Sequence, residues 1–217
     1  MTLAEKQERI AAIENLLTDY EALPLNQHDR RAEFRLRNRL GNLLLMLGSH
    51  TAARQHVECT LTIARELKDL YLESIALGNL GIVYRQPGRL VEAEKCYRQS
   101  LEISREFGSR IGEGRTLNNL GNIYGQQGRL VEAEKCYQQS LEISREIGDL
   151  IGEGRTLRNL AFLREAQEDL AGALEFGQQA VVVLEMTENI QMLTKAKDLV
   201  TKLKQEAEKQ RSQKTKG

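Results

Sequence analysis

Residues Gly88 to Tyr97 read GRLVEAEKCY, and the same ten residues return unchanged from Gly128 to Tyr137. The step of 40 residues extends well beyond that decapeptide: residues 70–109 and 110–149 agree at 26 of 40 positions without a gap. Carried outward, it aligns Gly41, Gly81, Gly121 and Ala161, and it aligns Ala53, Ala93, Ala133 and Ala173. Four copies result, the outer ones more divergent. A stacked array produces this pattern, because a terminal unit has one face without a neighbour and must change its surface.

The punctuation keeps the same beat. Asp29, Asp69, Ser109, Asp149 and Asn189 all carry a side-chain oxygen that can accept from the free amides of a helix start, so five helices are predicted to begin there. Gly48, Gly88 and Gly128 fall about twenty residues later, where a left-handed residue closes the first helix of a hairpin, and Pro87 reinforces one of these stops. In the second helix Leu130, Ala133, Tyr137, Ser140 and Ser144 recur at three-to-four spacing along one stripe, and Gly108 and Gly148 end two such helices. Gly121 and Ala133 mark a close approach of two helices between the larger Leu117, Leu120, Tyr124 and Tyr137. Tyr84, Tyr97, Tyr124 and Tyr137 are therefore read as packing residues. The glycines of GEGR are read as helix-junction residues.

These beats divide the chain into an N-terminal helix and linker (1–29), four repeats (30–69, 70–109, 110–149 and 150–189), a capping helix (190–209) and a flexible basic tail (210–217). Leu3, Ile10, Ile13, Leu17 and Tyr20 give residues 3–22 an apolar side, stopped by Leu23-Pro24, which is expected to cover the first repeat. Ile190, Leu193, Ala196, Val200 and Leu203 make a stripe expected to seal the last one. Residues 190–217 carry eight basic against three acidic groups, read as a solubilising end.

Composition narrows the function. With 31 basic and 31 acidic residues there is no basic surplus to drive non-specific binding to nucleic acid, so that partner class is disfavoured. No apolar run approaches the roughly 20 residues of a membrane-spanning helix, and Met1-Thr2-Leu3-Ala4-Glu5 lacks the features of a signal peptide, so a cytoplasmic protein with no membrane contact is expected. Cys59, Cys96 and Cys136 show no framework or CxxC spacing, and His28, His50 and His56 are scattered, so neither a metal site nor a cofactor is expected. There is no G-x-x-x-x-G-K-[ST], no H-E-x-x-H and no nucleophile with a recognisable base motif, hence no catalytic residues, and the chain is not read as an enzyme.

The first helices carry Leu-x-x-Leu-Gly-x-x-Tyr and the second Ala-x-x-x-Tyr, and at these positions, over residues 30–189, the chain resembles the tetratricopeptide repeat family. Its 40-residue G-E-G-R-T-L-x-N-L-G-N-x-Y form is similar to the arrays of kinesin light chains and spindle-orientation adaptors. The fourth copy departs most, with Ala161, Arg164, Glu168 and Gly177 where the second and third carry Gly, Tyr, Gly and Tyr. The resemblance implies an all-α, right-handed α-solenoid of four helix hairpins with flanking helices. It also implies a concave groove lined by the first helices, through Arg35, Asn38 and Asn42; Ile82, Arg85 and Gln86; Arg115, Asn118, Asn122 and Gln126; and Arg155, Arg158 and Phe162. Spacing supports a common face independently, since 35, 38 and 42, like 115, 118 and 122 and like 155, 158 and 162, stand at i, i+3 and i+7.

Asn offers a donor and an acceptor to the amides of an extended peptide, and Arg offers a planar fork to carboxylates. A solvated face would mix in Glu and Lys, which are scarce at these positions. The expected function is a protein-interaction scaffold or adaptor holding an acidic extended peptide or partner helix. The alternative is a sensor or regulatory module controlling a separate effector. A carboxylate clamp for a partner's C-terminus is matched only by Asn42, Asn79 and Arg115. A monomer is favoured over a homodimer. Asn79, Asn119 and Asn159 are read as structural, bonding backbone within the hairpin.

Overall fold

Side-chain oxygens at the 40-residue beat start the helices as expected. Asp29 accepts from the amide of Arg31, Asp69 from Leu72, Ser109 from Gly112, Asp149 from Gly152 and Asn189 from Met192. In the computed structural model, which describes residues 2–22, 29–85 and 88–214, these caps open α2 (Arg30–Met46), α4 (Leu70–Tyr84), α6 (Arg110–Gln126), α8 (Leu150–Ala166) and α10 (Ile190–Lys214). Between them lie α3 (His50–Glu66), α5 (Leu90–Glu106), α7 (Leu130–Ile147) and α9 (Leu170–Glu185), and α1 (Leu3–Glu21) precedes them all. The described residues contain no strand. Two caps were not anticipated: Asp169 opens α9 by accepting from Gly172, and Thr2 and Glu5 form a reciprocal capping box at α1. The proposed stops at Leu23-Pro24 and at Pro87 lie outside the described residues.

The chain divides into two compact units, Met1–Gly112 and Glu113–Gly217, with the division inside the first turn of α6. In the first unit α1 packs on α2, and α2 to α5 pack in consecutive pairs. Ile10, Ile13 and Leu17 of α1 join Leu40, Leu43 and Leu44 of α2 and Val57 of α3 in one core, so α1 covers the first hairpin. Leu3, assigned to that face, is 62% exposed and is not part of it.

In the second unit α6 and α7 form a hairpin at Gly121, where an added methyl group would lie 2.5 Å from the Tyr137 ring. Helices α7 to α10 then pack in sequence. Of the glycines of GEGR, Gly112 and Gly152 sit at helix starts against the cap residues Ser109 and Asp149, as junction residues, but Gly114 and Gly154 differ from that reading. Gly114 and Gly154 lie within helices, and a Cβ there would meet Ile143 at 3.0 Å and Leu184 at 2.5 Å. They are points of close helix approach. The glutamate between the glycines has a separate task, because Arg145 at the end of α7 pairs with Glu153 of α8 at 2.7 Å, as Arg65 of α3 pairs with Glu73 of α4 at 2.8 Å.

The fourth hairpin explains its own divergence. Where two hairpins oppose glycine to a tyrosine ring, this one opposes Ala161 to Gly177, and Gly177 turns its bare face to α10, with Val200 Cγ2 at 3.0 Å from an added Cβ. Leu199 and Leu203 of α10 complete a core with Ala161 and Ala173. The apolar stripe of α10 is therefore Ala196, Leu199, Val200 and Leu203, whereas Ile190 is 77% exposed and does not belong to it. Positive φ at Gly48, Gly88 and Gly128 closes the first helices as expected, but in the fourth hairpin Glu168 holds that conformation, at φ 61°.

Leu203→Ala should cost about 2–5 kcal/mol of unfolding free energy, the usual range for a fully buried leucine, while Ile190→Ala should stay within about 0.5 kcal/mol; urea titrations of both variants check this. Glu168→Gly should raise stability by about 0.5–1 kcal/mol, because a side chain in the left-handed region costs more than glycine's added freedom, and thermal unfolding would show it.

Candidate functional site: the polar faces of the first helices

The positions expected to line a binding face divide into two groups once the side chains are placed. The first group is occupied with structure. Asn118 is 3% exposed, and its carbonyl oxygen accepts from the amide of Asn159 at 3.0 Å and from the hydroxyl of Thr156 at 3.3 Å, tying α6 to α8. Asn38 is half-buried and accepts from the amide of Asn79 at 2.6 Å, tying α2 to α4. Asn79 and Asn159 are thus structural as expected, but they bond a side chain 41 residues earlier and not backbone in their own hairpin. The buried hydroxyls of Ser140 and Thr156 extend this seam, 3.2 Å apart, with Ser140 donating to the Gly114 carbonyl at 2.8 Å.

Asn122 is half-buried and accepts from the Tyr137 hydroxyl at 2.9 Å. The residue one repeat earlier is Ile82, also half-buried, which has nothing to offer the corresponding ring, and the hydroxyl of Tyr97 is buried without a partner. Desolvation holds that phenol well above its ordinary pKa. The four tyrosines behave as packing groups: Tyr97, Tyr124 and Tyr137 are buried, Tyr84 is half-buried, and the guanidinium groups of Arg89 and Arg129 stack 4.3 and 4.2 Å from the centres of Tyr84 and Tyr124.

The second group faces solvent. Arg35 and Arg85 are exposed in the first unit, Arg35 loosely opposite Asp29 at 3.6 Å, and Asn42 is half-buried. Gln86 lies outside the described residues. In the second unit Arg115, Gln126 and Phe162 are exposed, while Arg155 and Arg158 are partly buried.

Arg115, Arg155 and Arg158 form the distinctive feature. Most arginines here are matched with carboxylates: Arg37 with Glu33 and Glu21, Arg31 with Asp69, Arg164 with Glu134. Among the described residues no carboxylate lies within ion-pair distance of these three. Burial, then the positive charge of Arg115, pulls the Arg155 guanidinium below its usual pKa, with only Asp149 opposing. Burial, then Arg155, does the same to Arg158, whose Nε is buried without a hydrogen-bond partner. Three guanidinium groups thus stand near one another without a carboxylate at ion-pair distance.

Among the described residues there is no cluster of His, Cys, Asp and Glu able to hold a metal, and no helix is long and apolar enough to cross a membrane. Helix hairpins packed in sequence, with polar groups displayed on their first helices, define a helical repeat array. A sequence profile of the tetratricopeptide repeat family matches residues 33–106 and 113–185, well over half of the chain. The chain belongs to the tetratricopeptide repeat family, whose members are in general non-enzymatic scaffolds that bind proteins or peptides.

No curated protein matches the sequence. Among solved structures, the chain is similar to BtubC (BKLC) from P. vanneervenii, at 21% identity and a TM-score of 0.77, over 95% of this chain and 85% of that one. It is similar to the tetratricopeptide repeat sensor protein PH0952 of Pyrococcus horikoshii, a signal transduction ATPase with numerous domains, at 22% identity and a TM-score of 0.70. That match covers 86% of this chain but 28% of the ATPase. The nearly identical TPR-like repeats of a Podosopora anserina protein described as a kinesin light chain match at 17% identity and a TM-score of 0.66, over 87% of this chain and 92% of that one. At these identities the likeness is one of fold.

Tyr137→Phe should cost about 0.5–1.5 kcal/mol through loss of the bond to Asn122, whereas Tyr97→Phe should be neutral or stabilising because its hydroxyl is buried unpaired; paired denaturant titrations distinguish the two.

Proposed function

We propose that this chain is an adaptor whose second unit binds an acidic, extended segment of a partner protein through the first-helix face carrying Arg115, Arg155 and Arg158. The single observation behind this reading is that three neighbouring guanidinium groups, two of them partly buried, have no carboxylate of their own while most arginines of the chain do. Keeping like charges together in a partly desolvated place costs stability, and a bound carboxylate offsets that cost. Gln126 supplies an exposed amide on the same helix as Arg115, suited to a peptide backbone. Asn118 is withdrawn from this set by its burial, and Asn122 offers only what its bond with Tyr137 leaves free. In the first unit, Arg35, Asn42 and Arg85 carry the same chemistry in a weaker form.

A second reading takes its support from the likeness to the Pyrococcus ATPase, a protein described as having a tetratricopeptide repeat sensor: the array reads a partner and controls a separate effector. Recognition through the arginine face is common to both readings.

Affinity capture from a lysate, followed by calorimetry of the recovered partner against variants, tests the proposal. Arg115→Ala and Arg155→Met should each weaken binding about tenfold or more, the loss of one charge-assisted contact, while Glu102→Ala on the exposed face of α5 should not. Arg155→Met should leave the melting temperature unchanged or higher, since it removes an uncompensated charge. Unchanged affinity in both arginine variants would sink the reading. Micromolar binding of a single-stranded or duplex oligonucleotide at physiological salt would replace it with a nucleic-acid function.

A further inference from the structure

Two steps between first helices are tied by an asparagine pair 41 residues apart, Asn38 with Asn79 and Asn118 with Asn159, while the step between them has Gly78 opposite Asn119 and lacks it. Helix α10 begins at the next beat and stands where another first helix would stand, so the corresponding pair is Arg158 with Leu199. A leucine cannot accept a hydrogen bond, and Arg158 keeps a buried Nε without a partner. Four residues on, where other copies have Asn42, Ile82 and Asn122, the chain has Phe162, 46% exposed.

A cleft of about 440 Å³ lies between α8 and α10, lined by Arg158, Phe162, Lys195, Asp198, Leu199 and Lys202. It is shallow and open to solvent. Leu199 and the Phe162 ring give it an apolar floor and wall. Lys202 is already paired with Glu165 at 2.6 Å and contributes little free charge. Lys195 and Asp198 have no ion-pair partner among the described residues. The free groups are therefore two cations, Arg158 and Lys195, one carboxylate and an aromatic face.

We infer that this cleft is a specificity pocket for a peptide segment in which a carboxylate stands beside an apolar side chain. This rests on the reading of the arginine face as an acidic-peptide site and names what one part of it selects. The apolar side chain lies against Phe162 and Leu199, the carboxylate meets Arg158 and Lys195, and Asp198 accepts a backbone amide of the segment. Helix α10 is then a wall of the binding site as well as the cover of the last hairpin. The carboxylate is either that of an internal Asp or Glu or that of a chain terminus.

The test is selection from a phage-displayed random decapeptide library against the full chain, followed by fluorescence anisotropy of the selected synthetic peptides. Peptides with an acidic residue next to Leu, Ile, Phe or Met should be enriched. Phe162→Ala and Lys195→Glu, both at exposed positions, should weaken them at least fivefold with melting temperatures unchanged. Replacing the peptide's apolar residue by Ala should abolish the effect of Phe162→Ala, which separates direct contact from a general disturbance. Retained binding by C-terminal amides assigns the carboxylate to an internal residue, and loss assigns it to the terminus; both outcomes support the pocket. Peptides that depend on Arg115 and Arg155 but ignore Phe162→Ala and Lys195→Glu overturn the pocket and leave the arginine face standing. A selection that yields no acidic peptide overturns both.

Discussion

The contact on which the rest depends is a glycine against a tyrosine ring. At Gly121 an added methyl would stand 2.5 Å from the Tyr137 ring, and at Gly81 it would stand 2.5 Å from the Tyr97 ring, so the two helices of each hairpin meet at a distance that only a residue without a Cβ allows. The ring then fills the space beside the glycine, and its hydroxyl reaches the polar side of the first helix, where Asn122 receives it and Ile82 does not. Close packing inside the hairpin thereby decides which groups on the outer face are free. In the last hairpin the roles change. Ala161 replaces the glycine, Gly177 replaces the ring, and the space is taken by Val200 of α10. A helix hairpin cannot bury its apolar stripe alone, and α10 supplies the neighbour that the array would otherwise lack.

Much of this was readable from the chain itself because it is written in local chemistry repeated at a fixed period. Helix starts follow from side-chain oxygens next to free amides, and helix stops from glycines in the left-handed region. Both are properties of a few adjacent residues, and a 40-residue echo confirms each one. What escaped is of another kind. The glycines of Gly114 and Gly154 look like loop residues by composition, and only the position of Ile143 and Leu184 on the facing helix shows that they are contact points. Ile190 and Leu3 fit their apolar stripes by spacing but fall beyond the area that the neighbouring helix covers. Helical periodicity says which residues share a side; it does not say how wide the partner is.

The candidate site was less readable, for a related reason. Asn118 and Asn122 share a face with Arg115 by spacing, yet α8 covers Asn118 and Tyr137 engages Asn122. A 41-residue offset between Asn38 and Asn79 and between Asn118 and Asn159 was present in the sequence as a signal. It is one residue away from the repeat period, and it becomes meaningful only when consecutive first helices are known to lie side by side. The arginines carried the opposite signal. Their lack of partners cannot be seen in a chain whose acidic and basic residues are equal in number, because which carboxylate meets which guanidinium is decided by packing.

That distribution of charge carries the functional argument. A chain with 31 acidic and 31 basic residues has enough carboxylates to neutralise every guanidinium, and in the structural pairs it uses them: Glu33 serves Arg30 and Arg37, Glu134 serves Arg164, Glu153 serves Arg145. Several departures from the local rules at one place point to a place under a different demand. Among the described residues Arg39 and Arg85 are also without an ion pair, but in α6, α8 and α10 several departures occur together. Arg115, Arg155 and Arg158 have no carboxylate at ion-pair distance, arginine stands opposite leucine where two other steps pair asparagines, and an aromatic ring stands exposed where the other copies carry Asn or Ile. Each departure alone is a small cost to the fold. Arg158, with its unpaired donor, and Phe162 line the cleft between α8 and α10, and a carboxylate carried next to an apolar group is the ligand proposed for it because it would satisfy both.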